Sequence, residues 1–352
     1  MLSDWGWDDR WARCAADLSP GGGRPARVVG QERDRCAIHT EEGPGQARLV
    51  SEAGIGGLPV VGDWILVEPG PMESDPWSIT SVLPRRSSFS RGAAGSGAVE
   101  QVLAANVDVV WIVHGLDLAV NARSLERYLA VAWESGAVPE VILTKSDLVQ
   151  DVEAATAEAR AVAVGVRIWS VSSADAMSVA LLRGSLHPGS TVALLGPSGA
   201  GKSTLVNVLG AEDRALTSPV REYDRKGRHT TTRRELYRIP GGALLLDTPG
   251  IRELRVWTLG DGLDQAFPEV FELAKRCRFR DCAHDTEPGC AVRAAETAGR
   301  IDPERLASFK KLQAEAVYQM RKADPLAQRA ALSDHKSALK TMKYHHKLRR
   351  PE

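Results

Sequence analysis

The run Gly196-Pro197-Ser198-Gly199-Ala200-Gly201-Lys202-Ser203-Thr204 has the residue types and spacing to hold a triphosphate. Its glycines let consecutive backbone N–H groups curl round a β-phosphate, and Lys202 adds a point charge. Ser203 is left to hold Mg²⁺. Such a loop does not choose between ATP and GTP. Thr144-Lys145-Ser146-Asp147 supplies a carboxylate, Asp147, able to accept two hydrogen bonds from guanine N1–H and the 2-amino group, and adenine has no such donor pair. Ser172 and Ser173 end a second strand-like run and suit a backbone N–H contact with guanine O6. In Asp247-Thr248-Pro249-Gly250, Asp247 would reach Mg²⁺ through water and the Gly250 N–H the γ-phosphate. Each motif is weak singly; together they make a GTPase set.

Between the phosphate loop and D-x-x-G lies Asp224 to Arg233, polar and threonine-rich, where a first switch segment belongs. A threonine there can give its hydroxyl to Mg²⁺ and its N–H to the γ-phosphate. Spacing does not choose among Thr230, Thr231 and Thr232; Thr231 or Thr232 is preferred, with Thr231 assigned to Mg²⁺. His229 reads either as a residue that positions water or as a solvated loop histidine. Ile251 stands where many GTPases carry a water-orienting glutamine, and its hydrocarbon side chain cannot bond water. The isolated chain is therefore expected to be slow and to need a partner that completes the site. Cys277, Cys282, His284 and Cys290, spaced C-x4-C-x-H-x5-C, offer three thiolates and an imidazole. That set suits one closed, structural zinc site; the other reading is reduced cysteines in a small core.

The elements needed to position these groups are visible in the hydrophobic pattern. Val107 to Val113 and Val141 to Thr144 read as buried strands, Asn121 to Gly136 and Val152 to Val164 as helices, and Thr191 to Leu195 as the strand before the phosphate loop. This alternation predicts a parallel sheet with crossovers. Both base-reading motifs precede the phosphate loop, the reverse of the ordinary GTPase order, so the domain is circularly permuted. Arg183 to Ser190, a run of turn formers, is the join. From Pro25 to Leu83, short β-like pieces separated by Gly and Pro clusters predict a small barrel, and periodicity alone does not separate an OB-fold from an SH3-like one. Pro84 to Arg91 reads as a basic segment that either touches phosphate or is a solvated linker, and Gly92 to Gly97 as a boundary. Pro303 to Tyr318 is expected to be helical.

Lys and Arg number 45, as do Asp and Glu, so any basic surface must be local. The 352 residues allow two or three domains, and a hydrophobic content of 43% supports packed cores. The start, Met1 to Asp9, is acidic and aromatic, unlike a signal peptide, and apolar runs are strand-sized; a cytosolic chain without membrane contact is expected. Three of the five cysteines fall in one short region, which argues for metal in a reducing compartment. The tail beyond Arg321 is rich in Lys and Arg, with Tyr344, His345 and His346, suiting either RNA or a solubilising role.

The permuted order T-K-S-D, S-V-S-S, G-P-S-G-A-G-K-S-T, G-R-H-T-T-T, D-T-P-G, then C-x4-C-x-H-x5-C, resembles the small-ribosomal-subunit-dependent GTPase A family (RsgA, also called YjeQ). V-L-P-R-R-S-S-F-S-R at the end of the barrel and E-P-G-C around Cys290 are similar to it as well. The resemblance implies a multidomain α/β chain. Residues 1–24 would be an N-terminal extension, 25–91 an OB-fold RNA-binding domain, 98–258 a circularly permuted P-loop GTPase domain, 259–321 a zinc-binding α-helical domain and 322–352 a basic tail. It further implies a cytoplasmic monomer that assists late maturation of the small ribosomal subunit, contacts its rRNA, and hydrolyses GTP to GDP and phosphate under stimulation by that particle. His229 becomes the favoured contact to catalytic water, and zinc the expected occupant of the Cys/His set. The family often has asparagine where Thr144 stands, an amide that contacts guanine N7 and braces the phosphate loop. Threonine keeps a hydroxyl of shorter reach, so guanine selectivity is expected to rest on Asp147. Two rival readings are an ATP-using P-loop enzyme and an RNA-binding module that holds nucleotide without turnover.

Overall fold

The computed structural model describes residues 1–19, 22–32, 34–48, 57–72, 75–92, 100–210, 234–247 and 261–323. The chain opens with a 3-10 turn, Leu2–Trp5, and helix α1, Asp9–Leu18, whose first turn is capped by the Asp8 carboxylate accepting from the Trp11 N–H at 3.0 Å. Trp11 is buried against Trp64, Leu66 and Leu83, so the leading residues form an ordered lid on one end of the barrel.

Strands β1 (Arg24–Gln31), β2 (Arg35–Thr40), β3 (Gly43–Arg48), β4 (Trp64–Glu68) and β5 (Trp77–Val82) pair in the order β1-β2-β3-β5-β4 and close through β4 on β1. The β3–β5 pairing is parallel and the rest antiparallel. That closure is the five-stranded OB topology, which decides between the two barrels the sequence left open. Alternate residues point inward: Ala26, Val28, Cys36, Ile38, Ile65, Val67 and Ile79 fill the interior, and burial pushes the Cys36 thiol up to about 12.

Pro84 to Arg91 is not a solvated linker. Arg85 forms a fork on the fully buried Asp63, at 2.8 and 2.7 Å, and Arg86 lies over the Trp11 ring at 4.4 Å while pairing with Asp8. Each arginine is thus spent on a carboxylate, with the aromatic lid beneath Arg86. Strands β6 (Ser88–Gly92) and β7 (Glu100–Ala105) then form a hairpin; of the stretch expected as a boundary, residues 93–97 lie outside the described residues.

Beyond it, β8 (Val109–Gly115), α2 (Ala122–Glu134), β9 (Val138–Thr144), α3 (Val152–Val162), β10 (Arg167–Val171), α4 (Ala176–Gly184), β11 (Thr191–Leu195) and α5 (Lys202–Leu209) alternate as expected. Strands β12 (Arg234–Arg238) and β13 (Leu244–Asp247) complete a sheet of order β10-β9-β8-β11-β13-β12, parallel except for β12. Residues from α2 and α3 pack on one face, from α4 and α5 on the other. The end of β1 pairs with β12 through Gly30↔Glu235 and Gln31↔Arg234, so barrel and GTPase sheet are one hydrogen-bonded structure. Arg27, on the outer face of β1 over Trp64 and buried, donates to Thr191 Oγ1 at 2.9 Å at the foot of β11.

Four helices follow: α6 (Asp261–Ala266), α7 (Pro268–Ala274), α8 (Ala291–Thr297) and α9 (Pro303–Ala323), the last running five residues past the expected Tyr318. They dock on α2. Phe267, Val270, Phe309 and Leu312 share a core with Leu125 and Leu129. A Cβ on Gly262 would lie 2.5 Å from the Ala130 carbonyl oxygen, so only glycine lets α6 come this close to α2. Arg305 joins Glu126 at 3.0 Å and Glu269, and Arg127 makes a fork with Glu315 at 2.7 Å on both arms. Among the described residues no helix is long and apolar enough to cross a membrane.

Candidate functional site

The parallel strands bring the chemical groups to one edge. Gly115 at the end of β8 is level with Thr144, Thr144 with Val171 at the end of β10, and Leu195 with Ile112, so the T-K-S-D, S-V-S-S and phosphate-loop segments all emerge from the carboxyl ends of neighbouring strands. Ligands of open α/β sheets bind there, where the strand order reverses, here between β8 and β11.

The phosphate loop is shaped by its glycines. Gly196, Gly199 and Gly201 have φ of 137°, 81° and 87°, and a Cβ on Gly196 would lie 2.2 Å from the Val113 carbonyl oxygen. Lys202 is buried and its ammonium donates to the carbonyls of Gly196, at 2.7 Å, and Pro197. Pro197, Ser198 and Gly199 are exposed at the tip, Ala200 is buried, and Ser203 and Thr204 stand exposed on the first turn of α5.

Thr144 is the link between base-reading and phosphate-binding segments. Its hydroxyl donates to the Ala200 carbonyl at 2.6 Å, inside the loop, and is buried. The loop is braced here by a hydroxyl. Threonine reaches because the loop comes to it: an ideal Cβ on Gly201 would lie 3.1 Å from Thr144 Oγ1. Asp147 is exposed on the short turn Ser146–Leu148, and its carboxylate accepts from the buried Ser172 hydroxyl at 2.5 Å. Ser172 Oγ in turn accepts from the Ala174 N–H at 3.1 Å. Ser172 therefore orients Asp147, a role the sequence did not assign to it. Ser173 is exposed beside it.

Sequence reasoning also missed Asp117. Lys145 has a left-handed backbone, φ 60°, and its ammonium pairs with Asp117 at 2.6 Å, which holds the Asp117 carboxyl below the usual carboxylate range. The pair lies across Gly115, where a Cβ would meet Asp117 Oδ1 at 2.5 Å and Lys145 Cε at 3.4 Å. An acid two residues beyond a glycine that ends a strand was the available signal. It becomes informative only once β8 and β9 are known to be neighbours. Asp247 ends β13, the strand next to β11; its side chain, together with His229, Thr230, Thr231, Thr232, Gly250 and Ile251, lies outside the described residues.

The second cluster is on the helical module. The ligand atoms of Cys277, Cys282, His284 and Cys290 all lie within 4.8 Å of one another. A tetrahedral zinc with Zn–S of about 2.3 Å and Zn–N of about 2.0 Å sets edges of ~3.8 Å between sulfurs and ~3.5 Å between sulfur and nitrogen. Observed are 3.9 Å from Cys277 Sγ to Cys290 Sγ, and 3.7 and 3.5 Å from these sulfurs to His284 Nδ1. The set fits one zinc. Its loop is braced from within: Glu287 accepts the N–H groups of Ala283, Asp285 and Thr286 at 2.9, 2.8 and 3.1 Å, and its own backbone N–H together with these draws its carboxyl down to about 2. Lys310 of α9 donates to the His284 carbonyl at 2.7 Å, and Cys290 caps α8.

A strand order with the phosphate loop in the middle of the sheet and the base-reading strands before it, an OB barrel in front and a Cys₃His helical module behind, defines a circularly permuted P-loop GTPase. The family model for the RsgA GTPase matches residues 82–257. Small ribosomal subunit biogenesis GTPase RsgA of Opitutus terrae is 46% identical over 342 residues, covering 94% of this chain and 93% of that protein. The protein of the same name from Streptomyces coelicolor is 42% identical over 347 residues, covering 95% and 92%. The chain belongs to the RsgA GTPase family and is a GTP hydrolase. In fold it matches the crystal structures of YjeQ from Thermotoga maritima, with TM-score 0.62, 23% identity and 84% and 98% of the two chains covered. YloQ, a circularly permuted GTPase, follows with TM-score 0.59, 22% identity and coverage of 85% and 96%.

Proposed function

We propose that this GTPase assists biogenesis of the small ribosomal subunit, binding the particle and its rRNA and hydrolysing GTP to GDP and phosphate under its stimulation. The observation that carries the nucleotide reading is the Thr144 hydroxyl on the Ala200 carbonyl at 2.6 Å, which makes base-reading strand and phosphate loop one site. The near full-length identity to proteins named for small-subunit biogenesis supports the rest.

In this reading Asp147, steered by Ser172, accepts from guanine N1–H and the 2-amino group, with Lys145, Ser146 and Ser173 around the base. Residues Gly196 to Thr204 wrap the phosphates. Lys202 exchanges its loop carbonyls for phosphate oxygens; Ser203 and Thr231 would hold Mg²⁺, with Asp247 reaching it through water, and the ion would neutralise charge on the phosphates. Gly250 meets the γ-phosphate, Thr232 supports it, and His229 orients the attacking water, whose proton leaves with the inorganic phosphate. Residues 25–91 and 259–321 serve as the RNA-facing and zinc-binding units flanking a GTPase unit of 98–258, with 1–24 and 322–352 as extensions. The protein acts in the cytoplasm as a monomer.

The test is GTP turnover by the purified chain with and without small subunits. Slow turnover alone and a large increase with the particle are expected; tens of turnovers per second by the chain alone refutes the need for a partner. No hydrolysis even with subunits present would favour a module that merely holds nucleotide. Asp147→Asn should move preference toward xanthosine nucleotides, and equal binding of ATP and GTP by the native chain would favour an ATP-using enzyme.

A further inference from the structure

Away from the nucleotide edge, α2 and α9 enclose a cleft of about 210 Å³ at the junction of the GTPase sheet and the helical module. Arg123 and Arg127 line it from α2, Lys311 from α9, with Ser124 and Ser308 between them and Leu312 as an apolar floor; the Ser308 side chain is bonded to Glu126. Ser308 and Leu312 are buried, so the cleft has a fixed base.

Every charged residue of its lining is a cation. Arg127 is held by Glu315 in a two-armed pair, which uses two of its five N–H groups and leaves the rest of a rigid fork available. Arg123 and Lys311 are exposed, and among the described residues neither has an ion-pair partner. In a chain whose positive and negative residues balance at 45 each, such a convergence is a local feature. Arg123 and Ser124 belong to the first turn of the thirteen-residue α2, whose positive end adds to the same field. Planar guanidinium forks and hydroxyls suit the oxygens of a phosphate group. The volume fits one such group and its first attached atoms, below the ~300 Å³ at which pockets begin to enclose larger organic ligands.

We propose that this cleft is a second anion site, distinct from the nucleotide site, which takes a single phosphate group between Arg123, Arg127 and Lys311. A phosphate there touches α2 and α9 together and fastens the helical module to the GTPase unit. The group comes either from a phosphomonoester or free phosphate, or from one phosphodiester of an RNA strand.

The experiment uses the full chain with Mg²⁺ and saturating GDP, so that the nucleotide site is filled. Inorganic phosphate is titrated by calorimetry and a fluorescent hexauridylate by anisotropy, against native protein and the double variant Arg123→Glu, Lys311→Glu. Neither side chain has an ion-pair partner among the described residues, so the variant should keep its melting temperature and basal GTP turnover. Each lost charged contact weakens binding about tenfold, so phosphate affinity should fall about a hundredfold, and the pair Arg123→Lys, Lys311→Arg should restore most of it. If hexauridylate also weakens and its salt slope falls by about 1.4, the phosphate is that of an RNA backbone; if only inorganic phosphate weakens, it is a free or terminal phosphate. Unchanged binding of both probes to the folded double variant, or no phosphate binding by the native chain, overturns the proposal.

Discussion

Replacing Thr144 tests whether the phosphate loop is prepared for nucleotide by a single hydroxyl. The Oγ1–Ala200 carbonyl bond is buried and 2.6 Å long, and the second nearby acceptor, the His114 carbonyl at 3.3 Å, cannot replace it without moving the loop. Leaving a buried carbonyl unpaired costs about 1–3 kcal/mol. Thr144→Val does more than delete the donor. A methyl carbon in place of Oγ1 would sit 2.6 Å from the Ala200 oxygen, well inside the ~3.3 Å of even a weak C–H contact. The loop must retreat, and Gly201, already close to residue 144, limits how it can. A loop so displaced has to be rebuilt on binding, so GDP affinity should fall by about 5- to 140-fold, the equivalent of 1–3 kcal/mol. Thr144→Ala, which loses the bond without the clash, should lie at the lower end, and Thr144→Ser within about threefold of native. Selectivity for guanine over adenine should survive in all three, because the hydroxyl faces the loop and not the base. Titration with a fluorescent GDP analogue, alongside thermal melts, reads both effects. Native affinity with an unchanged melt in Thr144→Val, or collapse of base selectivity, refutes the reasoning.

Asp117→Asn should weaken nucleotide binding by up to about fivefold with kcat unchanged, since an exposed ion pair steers Lys145 and little more. Because Lys145 holds that carboxyl below its usual range, it stays charged from pH 5 to 8 and the effect should be flat across that window; a bell-shaped profile would exclude this origin. Arg305→Ala leaves Glu126 and Glu269 without their cation and should cost about 3–5 kcal/mol in a denaturant melt. Burial already raises the Glu126 pKa above its ordinary value; a raised carboxyl pKa weakens the fold above that pKa and ceases to do so as protonation restores neutrality. The deficit should therefore shrink as pH is lowered from 8 to 5, and a deficit that grows would contradict the assignment. Cys282→Ser should reduce bound zinc well below one per chain and expose Cys277 and Cys290 to thiol reagents; native metal content in the variant would refute the tetrahedral reading. Amide exchange at Gly30, Gln31, Arg234 and Glu235 should differ between GDP and GTP-analogue forms while that of α2 and α9 does not; the reverse pattern would place the coupling elsewhere.

What was legible in the sequence was local. Gly196 to Ser203 declares itself because glycine φ and the lysine act within one turn, and the strands flanking it are apolar runs of the right length. The cysteine cluster is legible for the same reason, its ligands lying in a single loop. The OB closure was not, because it depends on β3 lying parallel to β5, a pairing that Ala47 and Trp77 make across a thirty-residue gap. Arg85 and Arg86 misled: two successive cations look solvated until Asp63, 22 residues earlier, and Trp11 are seen to face them. The packing of the leading residues was not legible either: Asp8 before Trp11 is a cap followed by a buried anchor whose partners, Trp64, Leu66 and Leu83, lie more than fifty positions on. In the site itself the orienting bonds, Thr144 to Ala200 and Ser172 to Asp147, span 56 and 25 positions that no spacing rule connects.

The exchange prediction rests on where the flanking units are fastened. The barrel is anchored on the connection before β8: Ala105 N–H donates to the Val61 carbonyl at 3.1 Å, the Asn106 amide to Gly62 at 3.0 Å, and Arg27 reaches Thr191. The helical module is anchored on α2 through Arg305 and Arg127. The module's anchorage lies on α2 and the barrel's on the connection before β8 and on Thr191 of β11, all ahead of the phosphate loop, whereas Thr231, Thr232 and Gly250 fall after it. Chain continuity alone would join them loosely to their neighbours. In sequence Thr232 stands two positions before Arg234, which opens β12 and pairs with Gln31 of the barrel. Two residue pairs at about 1 kcal/mol each are within the 1–3 kcal/mol by which a ligand commonly couples two sites. The buried ion pairs under α2, which cost several kcal/mol to break, are not. A nucleotide-dependent change can therefore loosen the barrel seam at β12 while the helical module stays on α2. Permutation is what allows this: with β8, β9 and β10 ahead of the phosphate loop, the chain after that loop runs on to β12 and so to the barrel seam.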